Sequence, residues 1–136
     1  MKSIRHRTLA ILFMLLFGLS KSTAKGKTRV RVVNKLGTNR IMNIHCQSRD
    51  DDLGYHAILD GSEIEWKFAV NFWGTTLYYC DVQWDYSKWH HFDAYSSELH
   101  YDRCKTECIW MVTKDGLFNF NEEFGNWVLV PFQDSP

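Results

Sequence analysis

The most regular alternation of apolar and polar residues runs from Ile64 to Trp84. Ile64, Trp66, Phe68 and Val70 share one parity against Glu65, Lys67 and Ala69, the period of a strand with one buried face. Tyr78, Cys80, Val82 and Trp84 repeat the pattern against Asp81 and Gln83. The short Gly-containing segment Asn71–Thr76 between them predicts an antiparallel hairpin. Burying side chains of this size is worth about 1.5–3 kcal/mol each. The hairpin is therefore expected to supply much of the core, with the other strands packed on it.

The rest of the chain also reads as strands. Thr28–Asn34 alternates Val30 and Val32 with Arg29 and Arg31, a turn follows at Leu36–Asn39, and Ile41–Ser48 places Met42, Ile44 and Cys46 on one face. Ser48–Gly54 reads as a polar loop, His56–Leu59 as a short extended piece and Asp60-Gly61 as a turn. Beyond the hairpin come a loop at Asp85–Lys88, a strand at Trp89–Tyr95 and a polar, loop-like stretch at Ser96–Lys105. Cys108–Thr113 and Leu117–Phe120 flank the tight turn Asp115-Gly116 as a second hairpin. Trp127–Phe132 adds an edge strand whose Pro131 limits further pairing. About six to eight short strands, with turns every 8–12 residues or so, predict an all-β fold, a small antiparallel β-sandwich.

Composition changes this picture at the N-terminus. Lys2, Arg5 and Arg7 precede the uncharged apolar run Leu9–Leu19, which is shorter than the roughly 20 residues of a membrane-spanning helix. Ser22-Thr23-Ala24 then offers small residues for cleavage. Residues 1–24 are expected to be a signal peptide, and 25–136 a single secreted domain. Loss of Lys2, Arg5, Arg7 and Lys21 leaves 12 basic against 16 acidic side chains, a net charge of −4 concealed by the neutrality of the full chain. That surface argues against nucleic acid or anionic lipid as the main partner, both of which need concentrated Lys and Arg, and against a toxic or antimicrobial role; no direct membrane insertion is expected. A monomer is expected.

Cys46, Cys80, Cys104 and Cys108 all follow the leader. An even count in a small exported domain favours two disulfides of about 2–4 kcal/mol each. The count leaves three pairings open. Two wide bridges constrain the unfolded chain more than Cys104–Cys108 would, which disfavours that short pairing. The spacing of Cys104 and Cys108 suits zinc, but no second pair answers it.

Several motifs occur in order. They are His45-Cys46-Gln47-Ser48-Arg49-Asp50-Asp51-Asp52-Leu53-Gly54-Tyr55-His56, then Trp66-Lys67-Phe68, then Asn71-Phe72-Trp73-Gly74-Thr75-Thr76-Leu77-Tyr78-Tyr79-Cys80. Trp84, Phe92-Asp93-Ala94-Tyr95, Cys104-Lys105-Thr106-Glu107-Cys108-Ile109-Trp110 and Gly116 follow. From about Val30 to Phe120 the chain resembles the plant self-incompatibility protein S1 family, also called S-protein homologues. The resemblance implies a small secreted β-sandwich with two disulfides. It also implies a role like that of the members that act in the pistil as ligands of a pollen receptor and trigger rejection of self pollen. Female determinants of that family are often N-glycosylated, whereas no asparagine here begins an Asn-x-Ser/Thr sequon.

The polar residues invite chemistry that their spacing does not support. Asp50, Asp51 and Asp52 are adjacent and lack the spacing of a calcium loop, so they read as a turn whose carboxylates accept backbone N–H bonds. Of His45, His56, His90, His91 and His100, the first two flank one loop, and a small hydrolase using His45 or His56 with a nearby carboxylate is the alternative reading. His90 and His91, being adjacent, are expected on opposite faces of a strand. Trp73 and Trp89 stand at strand ends as possible partner anchors. No catalytic, cofactor-binding or metal site is assigned. The expected function is recognition by a membrane receptor protein through polar loops on a rigid framework. The loops are Arg49–Leu53, Asp85–Lys88 and Glu98–Arg103, with Arg49, Asp50, Asp51, Asp52, Asp85, Tyr86, Lys88, Glu98, His100 and Arg103 as the contacts.

Overall fold

The structure is a computed structural model that describes residues 26–133; the expected leader at 1–24 lies outside them. The described elements are β1 (Thr28–Lys35), β2 (Met42–Ser48), β3 (Asp52–Ile58), β4 (Glu63–Phe68), β5 (Leu77–Gln83) and β6 (His90–Ser96). A one-turn helix α1 (Ser97–His100), β7 (Glu107–Thr113), β8 (Gly116–Asn121) and β9 (Asn126–Val130) complete the chain. A five-stranded sheet has the order β4-β1-β7-β8-β9, and a four-stranded sheet the order β3-β2-β5-β6.

The inner faces of the two sheets meet over one core. Val30, Val32, Trp110, Val112 and Leu117 from the larger sheet share it with Met42, Ile44, Cys80, Val82 and Phe92 from the smaller. Phe92 packs on Trp110 with ring centroids 5.0 Å apart. The two-layer all-β architecture read from the alternation is present. One ladder departs from it: β1 and β7 are parallel, while every other named ladder is antiparallel. Arg31 fastens this region, its guanidinium forking onto Glu63 of β4 at 2.6 and 2.9 Å and reaching Glu107 of β7 at 3.2 Å.

The central hairpin does not form. β4 pairs with β1, whereas β5 pairs with β2 and β6 in the other sheet. Segment 69–76 therefore crosses between layers, and the two aromatic faces meet across the core instead of side by side. Phe68 and Tyr78 lie 4.7 Å apart, and Trp66 and Tyr78 5.6 Å apart. Period-two alternation states which face is buried and is silent on whether the next strand pairs at the edge or packs opposite. The second hairpin, β7–β8, and the edge strand β9 are present as read.

The disulfides are Cys46–Cys80 and Cys104–Cys108, so the disfavour of the short pairing is overturned. Cys46 and Cys80 are register partners on β2 and β5, with Cα atoms 4.1 Å apart. That leaves Cys104 and Cys108, whose Cα atoms stand 4.8 Å apart where the chain enters β7.

Candidate recognition surface

Register places the expected loops at two ends of the sandwich. Ser48 pairs with Tyr78 and Leu77 with Ser96, which brings the β2–β3 turn, the crossing segment 69–76 and α1 to one end. Asn43 pairs with Gln83 and Val82 with His90, which sends the β5–β6 turn to the other. The loops Arg49–Leu53 and Glu98–Arg103 thus share one end of the sandwich, and Asp85–Lys88 is apart from them.

The β2–β3 turn is built by its own side chains. Ser48 N–H donates to Asp51 O at 2.7 Å, and Asp51 N–H donates to Ser48 Oγ at 3.1 Å. Asp52 Oδ1 accepts Gly54 N–H at 2.8 Å and meets His45 Nε2 at 2.7 Å. The Gly54 amide, then His45, hold its carboxyl below the ordinary range. These contacts pin a β-bulge between His45 and Gln47 and start β3 at Asp52, earlier than the polar-loop reading allowed. Asp50 and Asp51 stay exposed and line a cleft of about 700 Å³ with Arg49, whose apolar side is Phe68 and Tyr78. Among the described residues no group of three His, Cys, Asp or Glu side chains is placed to hold a metal ion.

The crossing segment adds a feature that spacing alone only hinted at. Phe72 and Trp73 are 92% and 81% exposed and pack edge to face at 5.4 Å. Their loop is closed at its base, where Asn71 N–H donates to Thr76 Oγ1 at 2.7 Å and Thr75 N–H to Asn71 Oδ1 at 2.9 Å. Trp73 is therefore displayed by a braced loop, while Trp89 is only 38% exposed.

Of the third loop, Glu98 and Arg103 are exposed but His100 is not. His100 is 4% exposed, receives Ser96 N–H on Nδ1 at 2.9 Å, and lies against Tyr95 and Trp110. Burial, reinforced by the charge of Arg103, lowers its pKa to about 4. As a recognition contact it is corrected to a framework residue. The single turn α1 folds it inward, and no periodicity of that length is readable in a sequence.

The two histidines of the hydrolase reading do not converge. His45 is the cross-strand partner of Tyr55 and stacks on it at 4.1 Å, whereas His56 is the partner of Ile44 and so points to the other face of β3. His56 Nε2 is held by Leu53 O at 2.7 Å. His90 and His91 do take opposite faces: His90 stacks on Trp84 at 4.8 Å, and His91 Nδ1 meets Asp81 at 2.9 Å.

Fold and surface together define a class: a small two-layer β-protein, bridged twice by cystine, with polar loops at its rims. More narrowly, the chain belongs to the plant self-incompatibility protein S1 family, whose family model matches residues 29–131. It is 35% identical over 119 residues to the self-incompatibility protein S1 of Papaver rhoeas, covering 86% of each chain. It is also 35% identical over 118 residues to S-protein homolog 29 of Arabidopsis thaliana, covering 84% of this chain and 85% of that one. A solved structure of a self-incompatibility protein homologue, described as one of a widespread family of small, highly stable, secreted plant proteins, shares the fold. Its TM-score is 0.57 at 19% identity, over 79% of this chain and 90% of that one. Among the described residues no helix is long and apolar enough to cross a membrane.

Proposed function

We propose that the protein is a secreted, non-enzymatic, monomeric signalling ligand recognised by the outer segment of a cell-surface receptor, in the manner of a pistil determinant of pollen rejection. In this reading residues 1–24 direct export and are removed, leaving 25–136 as the active form. The observation that carries it is similarity to the Papaver rhoeas protein over 86% of each chain. The co-location of Arg49, Asp50, Asp51, Phe72, Trp73 and Arg103 at one end supports it further. Aromatic and Arg side chains are the groups from which interface anchors are drawn, and a framework braced by disulfides orders them at small entropic cost.

Saturable binding of labelled 25–136 to pollen plasma membranes tests this. Replacing 49–53, 71–75 and 98–103 with the matching loops of S-protein homolog 29 is expected to abolish it. Unchanged binding after all three replacements refutes the reading. Replacing both His45 and His56 by Ala is expected to leave the pollen response intact, whereas a hydrolase would lose it.

A further inference from the structure

We propose that the groove between the β1–β2 and β5–β6 turns, at the end opposite the recognition loops, is a binding site for a neutral oligosaccharide. Its volume is about 560 Å³, inside the range of roughly 300–1,000 Å³ typical of small-molecule sites. The floor is the outer face of the smaller sheet, where Ala57, Asn43 and Gln83 stand in register on β3, β2 and β5.

Two tight left-handed turns form its walls. Among the described residues, the non-glycine residues with left-handed backbone are Thr38 (φ 53°), Asn39 (φ 57°), Asp85 (φ 52°) and Tyr86 (φ 55°), and all of them line this groove. Each pair is the centre of a four-residue turn, closed by Arg40 N–H to Gly37 O at 3.2 Å and by Ser87 N–H to Trp84 O at 3.0 Å, the pattern in which both central residues take positive φ. The restraints are visible here. Asp60 accepts Gly37 N–H and Asn39 N–H, each at 3.1 Å, and Arg40 Nε joins the walls by meeting Asp85 Oδ2 at 3.4 Å. The cleft is preformed.

Its lining has the chemistry of sugar recognition. Tyr86 stands fully exposed on one wall. Two residues along β3 from Ala57, about 7 Å away, Tyr55 has one ring face stacked on His45, and its ring centre lies 6.1 Å from that of Trp89. Tyr55 is 73% exposed. An aromatic face is electron-rich and receives the C–H bonds along one side of a pyranose. Between these rings lie two side-chain amides, each pairing donors with an acceptor as a sugar hydroxyl requires. Asn43 has no side-chain hydrogen bond among the described residues. Gln83 uses its Nε2 on Ser87 O at 2.8 Å, leaving its carbonyl oxygen to accept. The charged residues lining the groove are Arg40 and Asp85, which neutralise each other. The groove therefore offers no uncompensated charge, which suits a neutral sugar.

Titration of isotope-labelled, disulfide-bonded 25–136 followed by NMR tests the site, with cellohexaose, mannohexaose and xylohexaose as neutral probes and hexagalacturonate as the acidic comparator. At least one neutral probe is expected to shift the Asn43 and Gln83 side-chain amide signals saturably. Affinity should fall about tenfold in Tyr86→Asn and in Asn43→Ala, and stay unchanged in Glu123→Ala. Asn tolerates the left-handed backbone, so Tyr86→Asn removes the ring and leaves the turn, and well-dispersed spectra of each variant verify its fold. Three outcomes overturn the proposal: no shift with any neutral probe, a preference for hexagalacturonate, or neutral-probe affinities that Tyr86→Asn and Asn43→Ala leave unaltered.

Discussion

Trp66 and Trp110 face the same core in different polar settings. Trp110 is 1% exposed and donates its indole N–H to Ala94 O at 2.9 Å. Ala94 is the extra residue where the β5–β6 register shifts, so the indole satisfies a carbonyl that the ladder passes over. The buried indole N–H of Trp66 has no partner among the described residues. Trp110→Phe is expected to cost about 1–3 kcal/mol for the stranded carbonyl, beyond the packing lost, and Trp66→Phe under about 1 kcal/mol. Urea unfolding midpoints compare them. His100 carries a pH signature. Its pKa falls from 6.5 to about 4 on folding, so between those values the unfolded chain binds the proton that the folded chain refuses. Stability is complete above about pH 6.5 and declines toward pH 4, by about 3 kcal/mol at the limit. His100→Gln, which keeps an acceptor for Ser96 N–H, is expected to flatten this part of the profile in denaturant titrations at stepped pH. Burial of Trp110 and Val82 was legible from parity; that of His100 was not, because a polar residue in a polar stretch gives no sign of facing inward.

Whereas β3, which does not alternate, was read in its first half as a polar loop, strands such as β1 and β7 were legible as elements because they alternate, Val30 and Val32 in the one and Trp110 and Val112 in the other. Their partners were not, since β4 and β5 present the same pattern whether they join as neighbours or oppose each other across the core. The disulfides show the same limit, for only register brings Cys46 opposite Cys80. The two bridges close loops of different size, with sequence separations of 34 and 4. Loop-closure entropy assigns them about 4 and about 2 kcal/mol respectively. Replacing Cys46 and Cys80 by Ala is therefore expected to lower stability about twice as far as replacing Cys104 and Cys108, read from urea denaturation of each double variant.

At the scale of the molecule, the candidate surfaces divide between two ends. The sequence pointed to the Arg49–Leu53 and Glu98–Arg103 loops by their polarity, and to Trp73 by its position at a strand end. It was silent on the gathering of Thr38, Asn39, Asp85 and Tyr86 around one groove, because that convergence depends on the turns that flank β2 and β5. Topology has one more outcome. The first strand lies inside the larger sheet, between β4 and a parallel neighbour supplied by Glu107–Thr113. During synthesis Val30 and Val32 wait, half-enclosed, until almost the whole polypeptide has been made. The domain thus closes late, once Glu107–Thr113 is available to pair beside the first strand.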